Sequence, residues 1–226
     1  MGINRLPLPA PRAVLFDWDG TLVDSSHGLV RAYNLVRAAF DMAPVTREYY
    51  MDQVAPMGNS RTIFTQLVPH AVEKAIEIFY AEIRDHYNET IDLMPGVMAV
   101  LADIQARGIT MGIVSNLAQE HLDRGVDRLG VRPFMSVVIG ADQSRPGKPD
   151  PAPIFMALDD LGVPRDLASR VWFVGDSSAD RDAAAAAGCP FIYFHHDTTI
   201  PAHRDGDAAA IDHFSDWDRL MPVAKR

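Results

Sequence analysis

The stretch Ala13-Val14-Leu15-Phe16-Asp17-Trp18-Asp19-Gly20-Thr21 decides how this chain reads. Four apolar residues run into an acid and then directly into Asp19-Gly20, a turn-forming pair, which is the pattern of a short buried strand that stops at a tight turn. Two carboxylates two residues apart at a strand end repel each other unless a cation or a proton lies between them. Taken alone, Asp-x-Asp-Gly also occurs in turns and calcium loops. Here it lacks the downstream Asp/Asn ladder ending in Glu that a calcium loop requires, and it directly follows an apolar strand. A bound divalent metal is the natural resolution.

Outward from this stretch the character changes. From Ser26 to about Thr90 the spacing predicts helices, with Val30, Tyr33, Asn34, Val36, Arg37 and Phe40 on one and Ala75, Ile78, Phe79, Glu82 and Ile83 on another. Pro44, Pro56 and Pro69 punctuate that block. After Pro95-Gly96 helix and strand alternate. Helices are expected at Val97 to Arg107, Glu120 to Leu129 and Ala179 to Ala187, the last closed by Gly188. Strands are expected at Ile109 to Val114, Ser136 to Ile139, Val171 to Val174 and Phe191 to Phe194. Short apolar strands separated by helices predict an α/β fold, a parallel sheet covered on both faces. The expected organisation is a core of residues 1–25 and 91–226, interrupted by a helical insertion at 26–90.

Parallel sheets of this kind bind ligands beyond the carboxyl ends of their strands. Four clusters fall there: Asp17-x-Asp19; Ser115-Asn116; Lys148, in Arg145-Pro-Gly-Lys-Pro-Asp-Pro151; and Gly175-Asp176-Ser177-Ser178-Ala179-Asp180. Each has a plain structural reading. Ser115 and Asn116 suit a turn or a helix N-cap, Lys148 a surface position, and one of Asp176 and Asp180 a helix cap. Capping does not explain why both of these acids accompany an acidic first strand.

Bulk properties narrow the function classes. The 226 residues accommodate one core and a small insert, and 48% hydrophobic with 23% charged residues predict a folded globular chain. A formal net charge of -9 with scattered Lys and Arg offers no basic stripe for nucleic acid. Any phosphate ligand therefore needs local positive charge from a metal, a lysine or backbone amides. The single cysteine, Cys189, excludes an intramolecular disulfide and fits a reducing compartment. The opening residues lack a signal-peptide apolar core, and no run reaches membrane-span length, so a cytoplasmic location is expected.

The four clusters, in this order on these strand ends, resemble the haloacid dehalogenase superfamily of aspartyl-nucleophile hydrolases. FDWDGTLVDS is similar to the first motif, VSN to the second, the lysine of GKPDP to the third and VGDSSAD to the fourth. The resemblance implies a Rossmann-like core with a helical cap inserted just after the first motif. It implies that Asp17 is the nucleophile and Asp19 the general acid/base, and that Ser115, Asn116 and Lys148 bind the phosphoryl oxygens. Magnesium would be held by Asp17, the Asp19 carbonyl and Asp176, with Asp180 behind them. In the cap, a loop around Gly58 would face the site, and Asn59, Ser60 and Arg61 would be substrate contacts. The substrate would be a small phosphorylated metabolite.

Within the superfamily, motif style and cap size resemble the phosphoglycolate phosphatases. Sugar-phosphate mutases use a cap histidine that would fall near Leu29, whereas His27 is out of register. Phosphonate-cleaving relatives need a cap lysine, and Lys74 lies in an ordinary surface-helix pattern. Dehalogenases lack the second acid that Asp19 supplies. A phospho-acceptor signalling domain shares strand-end Asp, Ser and Lys, but needs neither Asp19 nor the insertion. His195-His196 reads as a polar loop entrance rather than a metal pair.

Overall fold

The computed structural model describes residues 8–57, 60–195 and 207–221. The chain divides into two compact units, one formed by the chain up to Val23 together with Leu93 onward, the other by Asp24–Asp92.

The first unit is an α/β layer structure. Its strands are β1 (Ala13–Phe16), β4 (Thr110–Val114), β5 (Val137–Ile139), β6 (Val171–Gly175), β7 (Phe191–Phe194) and β8 (Ala209–Ile211). They form one sheet in the order β5-β4-β1-β6-β7-β8, and every pairing is parallel. β1 lies at its centre, with Phe16 opposite both Ile113 and Val174. All four residues of β1 are fully buried. That explains why this strand is continuously apolar rather than alternating: both faces are covered.

Alternation nevertheless sorts the packing. Ala13, Leu15, Val171 and Phe173 join one core with Ile154, Ala157 and Leu158 of α7 (Ala152–Asp160) and with Ala183, Ala184 and Ala187 of α8 (Ser178–Ala187). On the opposite face Phe16 and Trp172 each lie 6.1 Å, centroid to centroid, from the ring of Trp217 in α9 (Trp217–Leu220). α5 (Val97–Ala106) and α6 (Gln119–Arg128) complete the helices of this unit. The buried positions of α8 follow a spacing of three and four residues with alanine at each apolar position, which lets the helix approach the sheet closely. Gly188 ends it in a left-handed conformation.

Several elements were not anticipated from the sequence: the two-residue strands β2 (Val23–Asp24) and β3 (Asp92–Leu93), the short α9, and α7 and β8. α7 begins inside a proline-rich stretch, where Pro153 occupies the first turn and Asp150 accepts the Ala152 N–H at 2.8 Å. β8 is three residues long, too short to carry a periodic signal.

The second unit holds α1 (Ser26–Ala39), α2 (Arg47–Tyr49), α3 (Ser60–Leu67) and α4 (Val72–Thr90), with helical turns over Tyr50–Met57. Tyr33, Tyr50, Phe64 and Phe79 form its aromatic centre, at ring distances of 5.2 to 6.3 Å. Pro44 and Pro69 fall between helices as expected, whereas Pro56 stands within a short turn that continues the preceding helical segment. The chain leaves the first unit along β2 (Val23–Asp24) and returns along β3 (Asp92–Leu93), which pair as a two-stranded ribbon.

Candidate active site

The carboxyl ends of β1, β4 and β6, with the loop after β5, bring four separate parts of the sequence together. Asp17 continues β1, and its N–H donates to the Val174 carbonyl at 2.9 Å. Lys148 reaches in from the loop, and its three ammonium protons have three acceptors. Nζ is 2.6 Å from Asp17 Oδ1, 2.6 Å from Asp180 Oδ1 and 2.8 Å from the Val114 carbonyl. It also stands 5.5 Å above the centre of the Phe173 ring. Asp17 and Lys148 are 7% exposed and Asp180 is 0% exposed. The lysine is therefore a buried, fully coordinated cation, not a solvated surface side chain.

Asp176 follows β6 directly. Its Oδ1 accepts from the Thr21 hydroxyl at 3.2 Å. The turn after Asp19 packs against the same carboxylate. Gly20 has φ of 75°, and a Cβ there would lie 2.1 Å from Asp176 Oδ2, so only glycine fits. Carboxylate oxygens of Asp17, Asp176 and Asp180 lie within 4.8 Å of one another.

Asp180 does two jobs at once. Its Oδ2 accepts from the Ser177 N–H at 3.0 Å and the Ser177 hydroxyl at 2.5 Å, closing a capping box at the start of α8. Its Oδ1 holds Lys148. With both oxygens engaged, Asp180 serves the lysine and the helix start, while Asp17 and Asp176 are better placed to ligate a cation.

The charges do not balance. Three clustered carboxylates against one ammonium leave an excess of two negative charges. Burial and then the Asp180 charge push the Asp17 carboxyl well above its ordinary range; Lys148 opposes this and Asp176 adds to it. The Lys148 ammonium is held above its ordinary value because the Asp17 and Asp180 charges outweigh its burial. An all-oxygen donor set with that excess suits a hard divalent cation.

The remaining expected residues are placed as follows. Asp19 is half-buried in the turn after β1, bridged to Val23. Ser115 directly follows β4, is 3% exposed, and its Oγ accepts the Leu117 N–H at 3.1 Å. Asn116 directs its amide at the Lys148 backbone, donating to the carbonyl at 2.8 Å and accepting the N–H at 2.9 Å. In the second unit Arg61 is exposed and pairs with Glu73 at 2.7 Å, and Ser60 lies 2.9 Å from the Tyr80 hydroxyl. Gly58, Asn59 and His196 lie outside the described residues. Lys74 is an exposed helix residue paired with Glu77. His195 pairs with Asp212 at 3.2 Å. Burial pushes the Cys189 thiol up to about 12.

Three contributors carried no assigned role in the sequence reading: Thr21 on Asp176, Ser177 on Asp180 and Phe173 under Lys148. The first two lie within quoted motifs, and their hydroxyls beside acids were the available signal.

The family model for haloacid dehalogenase-like hydrolases matches residues 14–194. The chain belongs to that family. Among relatives, the phosphoglycolate phosphatase of Yersinia pseudotuberculosis is 33% identical over 228 residues, covering 95% of this chain and 93% of that protein. The phosphoglycolate phosphatase of Rhodospirillum rubrum is 32% identical, covering 92% and 90%. The crystal structure of a predicted phosphoglycolate phosphatase from Haemophilus somnus matches with a TM-score of 0.77 at 23% identity, covering 96% of this chain and 98% of that one, a likeness of fold. The chain is thus a phosphoglycolate phosphatase-like hydrolase of the haloacid dehalogenase family. No described helix is long and apolar enough to cross a membrane.

Proposed function

We propose that this protein is a magnesium-dependent phosphatase that hydrolyses a small phosphorylated metabolite, phosphoglycolate being the first candidate, through an aspartyl phosphate on Asp17. The observation that carries this reading is the Lys148 ammonium, held 2.6 Å from Asp17 and from Asp180 in a buried cluster that also contains Asp176. A strand-end carboxylate that needs both a lysine and a further cation beside it is built to meet an anion.

Magnesium fits the donor set, and Asp17 and Asp176 with the Asp19 carbonyl would hold it. When bound, it supplies positive charge that draws a phosphate oxygen towards the nucleophile and offsets charge spreading onto it. The protein's own groups account for the rest. A carboxylate oxygen of Asp17 forms a bond to phosphorus while the ester P–O bond breaks, and the Asp19 carboxyl gives its proton to the departing alkoxide. Asp19, now ionised, takes a proton from water. The water oxygen bonds to phosphorus, and the bond to Asp17 breaks, releasing phosphate and restoring both acids. Lys148 and Ser115 stabilise the equatorial oxygens throughout.

The relatives named phosphoglycolate phosphatase support the choice of substrate, and the acidic sheet-edge cluster supports the metal. A panel of phosphorylated metabolites, phosphoglycolate among them, is assayed for released phosphate with and without magnesium. Magnesium-dependent release with a strong preference for phosphoglycolate supports the full reading. Release from another ester retains the mechanism and replaces the substrate. No release from any ester overturns both.

A further inference from the structure

We propose that Asn116 is a positioning residue whose side-chain amide grips the peptide of Lys148 and so aims that lysine at Asp17; this rests on the phosphoryl-transfer reading above. Asn116 Nδ2 donates to the Lys148 carbonyl at 2.8 Å, and the Lys148 N–H donates to Asn116 Oδ1 at 2.9 Å. The two residues are 32 apart in sequence. A planar amide that satisfies both the donor and the acceptor of one residue fixes that peptide in position and in tilt. Closeness is built in: a Cβ at Gly147 would lie 2.7 Å from Asn116 Oδ1.

The end of β4 therefore holds the lysine at both of its extremities. Val114 accepts from the ammonium at 2.8 Å, and Asn116, two residues on, fixes the backbone from which that side chain springs. A lysine stem is rich in rotamers, so anchoring both root and tip removes most of the search before substrate arrives. The same two-bond arrangement recurs within the second unit. Asn34 donates to the Val45 carbonyl and accepts its N–H, each at 2.9 Å. This chain thus uses asparagine as a backbone clamp elsewhere. The side chain expected to meet a phosphate oxygen acts instead through Lys148.

A double-mutant cycle separates this role from direct contact of Asn116 with a phosphate oxygen. Asn116→Ala, Lys148→Ala and the double variant are compared with wild type for p-nitrophenyl phosphate turnover and for melting temperature. We expect Asn116→Ala to lower kcat about 10–100-fold with KM moved less, and the double variant to fall within about twofold of Lys148→Ala. The melting shifts add, because the clamp grips backbone that Lys148→Ala retains. A double variant slower than Lys148→Ala by the whole Asn116→Ala factor overturns the proposal, since Asn116 would then act on its own contact. If Asn116→Ala does not fold, Asn116→Asp, which keeps the oxygen that accepts the Lys148 N–H, takes its place. If wild type releases no phosphate from any ester, the proposed activity fails alone, and the cycle is read as inorganic phosphate affinity by calorimetry with the same two outcomes. Absence of phosphate binding to wild type overturns both.

Discussion

At the residue scale, the site is a set of acids whose neighbours give them different work. Asp17 is buried, Asp180 is committed to Lys148 and Ser177, and Asp19 stands half-buried in the turn. In the proposed mechanism Asp19 is the acid that exchanges a proton with the leaving group and then with water. Asp19→Asn keeps the size of the side chain and the backbone carbonyl while removing that proton, so steady-state turnover should drop about 10²–10⁴-fold. Initial rates on an alkyl phosphate measure it, and the loss should be smaller in the first step for a nitrophenyl ester, whose leaving group needs no proton. The strand-end acids and the lysine were legible in the sequence because chemistry constrains which residue types can occupy them. The resemblance also set Asp180 behind the other acids, but its two partners, Lys148 and Ser177, were not legible. Asn116 carries the same amide whether it faces a phosphate or a peptide, and only the distance to Lys148 assigns it.

At the element scale, α8 shows how a helix start and a buried lysine share one carboxylate. Ser177→Ala removes the hydroxyl that accepts the Asp180 N–H at 3.2 Å and donates to Asp180 Oδ2. Loss of an N-cap serine costs about 1 kcal/mol, and urea unfolding of the variant should show that decrease. Farther along, Ala184 is fully buried against the sheet. Ala184→Leu inserts volume where the helix lies close, and should cost about 1–3 kcal/mol in the same measurement. The strands and α8 were readable because apolar runs bounded by turns and a small-residue stripe are local signals. α7 hid behind its prolines, which terminate helices everywhere except in the first turn, and β8 was too short for a period to appear.

At the scale of the whole molecule, the negative surplus at the site ties stability to metal and to pH. The formal net charge of -9 adds to the self-repulsion. Because the folded-state pKa of Asp17 is raised, its contribution to stability without metal is fully present below the ordinary carboxylate pKa and is lost as pH rises through the raised folded value. On the proposed reading magnesium and a proton compete for the Asp17 carboxylate, so metal affinity should rise with pH. At a free concentration of a hundred times its dissociation constant, magnesium should stabilise the fold by about 2.7 kcal/mol, read as a rise in melting temperature. Asp176→Ala should abolish the rise, and its persistence in that variant would place the metal elsewhere.

The most direct test of the central claim is to catch the phosphoryl group on the protein. Asp19→Asn protein, mixed with magnesium and a nitrophenyl phosphate and quenched in acid, is digested and its peptides are weighed by mass spectrometry. The mechanism predicts a phosphoryl group on Asp17 and nowhere else, and no labelling when Asp17→Asn is added to the same protein. Substrate turnover with Asp17 unmodified, or hydrolysis by Asp17→Asn alone at the wild-type rate, would contradict it.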